Sequence, residues 1–304
     1  MYSRKEVAPY LRDGLGGKIF NACNYVFMLL LAFTMIYPFW NQLILSLNEG
    51  TDSVRGGLYF LPRKFTLENY EYMFSRRYLF DGAVMSVMRV VIGTSTHVFF
   101  SGLLAYVTTV RGFSGRRVMR VIFIATMYFS GGMIPFFLLI ANLGLMNTFT
   151  VYWLPGMFSA YSMLLIASYI YGLPDSLAES ARIDGAGDFR IYFSIILPLC
   201  VPVIAAVSIM TAVAHWNSWF DVMIYNPSGQ YDTLSMYLRR ILLNAEEANR
   251  LAREGWGGRE VMQNVTIQSM RAATTMIVTL PIIAVYPFFQ RFFVSGITIG
   301  SVKG

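Results

Sequence analysis

Between one charged residue and the next, the chain leaves five long uncharged stretches, at 19–48, 90–110, 121–174, 191–220 and 272–290. The hydrocarbon core of a bilayer is about 30 Å thick, so a helix needs about 20 apolar residues to cross it. Each stretch reaches that length, and the third is long enough for two. Its middle, Asn142-Leu-Gly-Leu-Met-Asn-Thr148, carries the polar residues and glycine of a tight turn. The pattern predicts six membrane helices, near 18–46, 83–109, 121–141, 149–171, 199–225 and 272–292. An even number of spans places both termini on one side. The expected fold is all-α and polytopic: a short segment at 1–18, a six-helix transmembrane domain at 19–292 and a tail at 293–304.

Composition supports that class. Hydrophobic residues make up 56% of the chain and charged residues 13%, and the mean hydropathy is +0.51, too apolar for a soluble domain. The first apolar run is too long for the core of a cleaved signal peptide and lacks a small-x-small cleavage site. A net charge of +7 would suggest nucleic acid in a soluble protein, but these basic residues flank spans, where lipid headgroups are the expected partner. Arg111, Arg116, Arg117 and Arg120 crowd one short loop, while the turn at 142–148 carries no basic residue. The asymmetry puts 111–120, both termini and the 175–190 loop in the cytoplasm, and the segments 49–78 and 224–271 outside.

Several residues interrupt the apolar runs. Arg89 lies about two turns inside the second span, where a charge either snorkels to the headgroups or faces protein or water; snorkelling is expected. Pro155-Gly156, Pro281 and Pro287 are sites for kinks that neighbouring helices can re-satisfy.

The loop 174–198 is unusually charged for its surroundings. Pro174, Asp175 and Glu179 suit a helix N-terminus, and Gly185-Ala-Gly187 stops that helix. Asp188 is placed to cap a second, amphipathic helix whose Phe189, Tyr192, Phe193 and Ile196 recur at helical spacing. Pro198 ends it or marks entry to the fifth span. The result is a helix-turn-helix with Ala178, Ser180, Ala181 and Ala186 near its bend, small enough for another protein to approach closely.

At these residues a resemblance becomes specific. Glu179, Ala181, Gly185, Ile195, Leu197 and Pro198 match the EAA motif of ATP-binding-cassette importer permeases, with Ser180 in place of the first alanine. Phe65-Thr-Leu-Glu-Asn-Tyr70, Gly131-Gly-Met-Ile-Pro135, Leu143-Gly-Leu-Met-Asn-Thr148, Trp216-Asn-Ser-Trp-Phe220 and Gly300-Ser-Val-Lys-Gly304 resemble permeases of the carbohydrate-uptake branch. The likeness is greatest to the second permease of complex-polysaccharide and oligosaccharide importers. It implies an alternating-access importer subunit in a bacterial-type cytoplasmic membrane. The implied partners are a second, homologous permease, two P-loop ATPases and an extracytoplasmic solute-binding protein. It also implies that Glu179, Ala181, Asp184, Gly185, Ala186, Gly187, Leu197 and Pro198 couple the chain to its ATPase.

The chain lacks the glycine spacing of an ATP-binding loop; Gly14-Leu-Gly-Gly-Lys18 has neither that spacing nor the following hydroxyl. ATP and Mg are therefore expected on the partner ATPase, with no cofactor on this chain. His97 and His215 fall in different spans without clustered carboxylates or thiols, and Cys23 and Cys200 read as packing residues, so neither metal site nor nucleophile emerges. The chain is not expected to be an enzyme. Saccharides need aromatic faces and hydrogen-bonding groups, and the fifth span supplies Trp216, Asn217, Trp219 and Asp221, with Asn217 and Asp221 four residues apart on one helical face. With Arg89 they are candidates to line a substrate path. The alternative is an outer tryptophan belt with Asp221 solvated at the helix end. The outer segment 224–271, with Tyr231, Tyr237 and the Glu246-Glu247 to Arg253 run, is large enough to meet a binding protein. An ion-coupled secondary transporter or channel for a small polar solute is the competing function. It would need more ionisable groups within the spans.

Overall fold

The computed structural model describes residues 15–243 and 264–299. The Glu246–Arg253 run, the segment before Leu15 and the terminal Gly300–Gly304 stretch lie outside them. Among the described residues the fold is helical, its one strand-like pairing being an antiparallel bridge between Asn48 and Phe65. The described residues divide into two compact units, 15–71 with 264–276 and 72–243 with 277–299.

In the first unit, α1 (Leu15–Ser46) is long and apolar enough to cross a membrane, and no residue of its spanning window is buried. It is followed by α2 (Gly50–Ser53) and α3 (Glu68–Phe74). The loop between them folds back on the end of α1. Asn69 Nδ2 donates to the carbonyls of Ser46 and Asn48 at 2.9 Å, and the Tyr70 hydroxyl meets Ser46 Oγ at 2.7 Å. Buried Asn48 donates to Asp52 and Ser53 and accepts the Lys64 backbone N–H at 2.8 Å. Arg63 pairs with Asp52 at 2.9 Å. The Phe65–Tyr70 stretch thus serves as a clasp over a helix end whose carbonyls would otherwise lack partners. The start of α13 (Ile267–Ile299) belongs to this unit as far as Met276.

The second unit is built on α4 (Arg77–Thr109), which packs most extensively against α10 (Val201–Asn217) and α7 (Ala160–Ile170). Here the expected spans three, four and five differ from uninterrupted helices. Span three is two helices, α5 (Arg116–Tyr128) and α6 (Met133–Asn142), bent by 116°. The break is at Gly132, whose φ of +86° is open to glycine and strained for other residues. Span four begins as a short 3-10 turn, Phe149–Tyr152, and becomes α-helical only at α7, eleven residues long. Pro155-Gly156 interrupts it, and Ser159 Oγ restarts it by accepting the Ser162 N–H, an N-cap that supplies one orphan donor. Span five is preceded by α9 (Asp188–Leu199), bent by 79° from α10 at Cys200. It ends at Asn217, because Ser218 is extended, and resumes as α11 (Phe220–Tyr225). The chain continues to α12 (Leu234–Leu243), and the remainder of α13 carries Pro281 and Pro287. Among the described residues three helices are long and apolar enough to cross a membrane, or up to five if each bent pair counts as one span.

The 142–148 turn forms as expected. Asn147 sits at φ +55°, donates its N–H to the Tyr225 carbonyl at 2.8 Å and accepts from the Ser228 N–H at 2.9 Å. At the opposite end of this unit Arg111 pairs with Asp175, and Arg120 bonds Tyr171 and the Thr108 carbonyl. The Arg-rich loop and the start of the 174–198 loop therefore share one end.

Candidate functional site

Two constellations in the second unit hold the predicted site residues. The first is the 174–198 loop. Helix α8 (Ser176–Ile183) ends in a Schellman turn: the Ala186 N–H reaches the Ala181 carbonyl at 2.9 Å and the Gly185 N–H that of Arg182 at 3.0 Å. Gly185 takes the left-handed position, φ +80°, that this cap requires. Asp188 is the first residue of α9 rather than its cap, which is Gly187. Asp188 turns back to Arg182, 3.4 Å away. Pro198 lies inside α9, which runs to Leu199, and just before it the helix widens to π geometry over Tyr192–Ile196. The Leu197 N–H closes this wide turn on the Tyr192 carbonyl, immediately before Pro198, which has no N–H to give.

The buried face of this loop is only half the predicted one. Ile191, Tyr192 and Ile196 are buried, whereas Phe189 is 73% exposed. Ala181 is buried in the core, and Ala178 and Ala186 pack against it. Their small size lets α8 approach its own bundle. The outward face instead carries Glu179, Ser180, Asp184, the 86%-exposed Ile183 and Phe189. Both apolar side chains are bare, Ile183 lying outside the predicted stripe and Phe189 within it. Tyr192 fixes the loop to α4: its ring packs on Tyr106 at 5.1 Å between centroids. Its hydroxyl lies over Gly102, where a Cβ would stand 2.8 Å away.

The second constellation lies along α4. Ser86, Arg89, Gly93, His97 and Ser101 recur at three- and four-residue spacing, so they share one face. Arg89 does not snorkel. It is 3% exposed, pairs with Asp221 and stacks on Tyr152 at 4.8 Å from the ring centroid; its Nε has no hydrogen-bond partner. Asp221 also accepts from Ser218 Oγ at 2.6 Å and the Val222 N–H at 3.0 Å, so it is held in the bundle and not merely solvated. The break at Ser218 means that Asn217 and Asp221 no longer share a helical face. Asn217 is exposed at the end of α10.

The tryptophans do not form a simple belt. Trp216 donates its indole N–H to the Val278 carbonyl at 3.0 Å, close to where Pro281 disturbs α13, and its ring borders an apolar cavity with Val87, Val91, Ile209 and Pro281. Trp219 is covered by the Arg239 guanidinium, 4.2 Å from its centroid.

Sequence reasoning also missed that the two histidines meet. His97 and His215 line one cavity of about 390 Å³ with Ser162, Thr211, Tyr161 and Phe158. The signal was present in the four-residue polar spacing of α4 and in Thr211 and His215, four apart on α10.

A helical chain with several apolar helices of membrane length, a buried Arg89 paired with a partly buried Asp221, and a Schellman-capped turn between α8 and α9 has the character of a polytopic membrane protein. Residues 80–299 match the family described as binding-protein-dependent transport system inner membrane component, and the chain belongs to that family. It is a permease component of an ATP-binding-cassette importer and, like its relatives, not itself an enzyme. It is 32% identical, over 94% of this chain and 99% of the relative, to the polygalacturonan/rhamnogalacturonan transport system permease protein YtcP of Bacillus subtilis (strain 168). Protein LplC of the same organism is 34% identical over 95% of this chain and 96% of its own. Among solved structures, the chain matches one of a bacterial ABC transporter involved in the import of the acidic polysaccharide alginate. The TM-score is 0.84 at 26% identity, covering 92% of this chain and 99% of that one.

Proposed function

We propose that the chain is one of two homologous permeases of an importer that carries oligosaccharides or polysaccharide fragments across the cytoplasmic membrane. It spans the membrane six times with both termini inside, and works with two P-loop ATPases, which hold ATP and Mg, and an extracytoplasmic solute-binding protein. The observation that carries the coupling is the Schellman-capped helix-turn-helix, whose exposed Glu179, Ile183 and Phe189 offer a carboxylate flanked by apolar side chains to a partner groove. ATP-driven closure of the ATPase pair moves this loop, and Tyr192, keyed over Gly102 and against Tyr106, passes the motion to α4. Alternating access follows as the spans swing between inward- and outward-facing states. The saccharide class is supported by relatives named for polygalacturonan/rhamnogalacturonan and arabinooligosaccharide transport and by the alginate importer.

The test is to purify the chain from its native membrane, mildly solubilised, with and without Glu179→Arg, and to identify what accompanies it by mass spectrometry. A second permease in both samples, with a P-loop ATPase lost only from the variant, is expected. Recovery of the chain alone in both would overturn the reading in favour of an autonomous, ion-coupled transporter.

A further inference from the structure

Resting on the saccharide reading above, we propose that the cavity between His97 and His215 is a hydroxyl-recognition subsite for the carried sugar.

The lining is that of a neutral polyol site. His97 Nδ1 is 2.7 Å from the Gly156 carbonyl, which can only accept, so Nδ1 carries the proton in that contact. In the neutral ring Nε2 then accepts from Ser162 Oγ, 2.8 Å away. With its proton committed to His97, Ser162 Oγ turns lone pairs to the cavity, as an acceptor for a sugar hydroxyl. Thr211 adds a second hydroxyl on the opposite helix, and His215 a second imidazole.

Tyr161 and Phe158, 53% and 47% exposed, supply aromatic surface for the C–H faces of a pyranose ring. No carboxylate, ammonium or guanidinium lines the space, so it reads hydroxyl geometry and not charge. Both nitrogens of His97 are engaged by the protein, which leaves no pair of ligating imidazoles for a metal. The volume, about 390 Å³, falls within the ~300–1,000 Å³ typical of small-molecule sites. The neighbouring cavity beside Trp216 is walled by aliphatic side chains and lacks this chemistry.

The position of His215 is set by α4. A Cβ at Gly93 would stand 2.5 Å from its Nε2, so the imidazole rests on bare backbone. Gly93 and His97 are thereby the two α4 positions that shape the subsite.

The experiment uses the intact importer, purified through this chain and reconstituted in liposomes, with radiolabelled galacturonan and arabinan oligosaccharides as probes. For the saccharide taken up best, Ser162→Ala should raise KM about three- to tenfold, the worth of one net hydrogen bond. The same variant should lose the preference of the wild type for that saccharide over its monodeoxy analogues. Tyr161→Ala, at a half-exposed side chain, should also raise KM and gives a second reading where Ser162→Ala disturbs α7. Unchanged KM and unchanged deoxy preference in both variants, or a fall in maximal rate alone, would overturn the subsite and leave the importer reading standing. A wild-type complex that assembles with its ATPase yet takes up none of these saccharides would overturn the saccharide reading, and the subsite with it.

Discussion

His215 occupies the space that a side chain at Gly93 would need: a Cβ there would stand 2.5 Å from the imidazole Nε2 and 2.7 Å from Cε1. This contact sets the approach of α4 and α10, the helix pair at the centre of the second unit. Gly93→Ala should overpack it and cost about 1–3 kcal/mol, seen as a lower Tm of the solubilised complex. In a His215→Ala background the same substitution should cost close to nothing, since the obstructing ring is gone. An equal cost in both backgrounds would mean that the contact does not govern the packing.

Arg89 and Asp221 are 132 residues apart in sequence and joined in the bundle. Removing one member of a buried pair leaves an uncompensated charge, a loss of about 3–5 kcal/mol, whereas apolar replacement of both is often nearly neutral. Asp221→Asn should therefore lower the stability of the complex by that order, and the double variant Arg89→Met with Asp221→Leu should recover most of it. Thermal unfolding of the three proteins checks this. A double variant no more stable than Asp221→Asn would show that Tyr152 and Ser218, which also hold these residues, matter more than the ion pair.

Gly185 stands at φ +80° with nothing within 4 Å of where a Cβ would be, so a substitution there acts through backbone strain and not through collision. Gly185→Val should cost about 1–2 kcal/mol locally, loosen the turn between α8 and α9 and uncouple uptake from ATP hydrolysis while the spans stay folded. Asparagine tolerates the left-handed region better, so Gly185→Asn should keep most coupling. Uptake and ATPase measured side by side decide the matter; equal defects, or none, would remove Gly185 from the coupling argument.

The long spans were legible because a membrane demands runs of apolar residues, and the runs can be counted. Of their breaks, Pro155-Gly156 was legible from its proline. Gly132 and Ser218 were not: each lies inside an uncharged stretch, and an apolar run does not record the direction of the chain on either side of a break. The 174–198 loop was legible in its Gly185 turn, which depends on neighbours in sequence, but not in the cap of its second helix, which is Gly187 and not Asp188. Its faces were misread, because Phe189 fits a helical stripe as well as Ile191 does, and only the packing of Ile191, Tyr192 and Ile196 decides which face is inside. Arg89 was expected to snorkel because its partner comes from a distant helix. The His97–His215 cavity escaped for the same reason, although the regular spacing of Arg89, Gly93 and His97 marked a polar face on α4. The segments that carried the family resemblance have a common structural meaning: Phe65–Tyr70, Gly131–Pro135, Leu143–Thr148 and Trp216–Phe220 all sit at helix ends or breaks. There the backbone needs particular side chains, and an apolar substitute would not serve.

The clasp at the end of α1 makes the last prediction, one of pH. Asp52 is held below the usual carboxylate range, first by the Asn48 amide that donates to it and then by Arg63. A carboxyl whose folded pKa is depressed stabilises the fold above its unfolded value, about 3.9, and that stabilisation is lost as pH falls through the folded pKa. The clasp should therefore be unchanged between about pH 5 and 8 and open only in acid, below about pH 4. Hydrogen exchange at the Glu49, Lys64 and Thr66 amides, which close the clasp through Lys64, Asn48 and Leu47, reports the opening. Asn48→Ala removes the largest hold on the Asp52 carboxylate and should move the onset to higher pH. An onset near neutral pH in the unaltered protein would show that a group other than Asp52 controls the clasp.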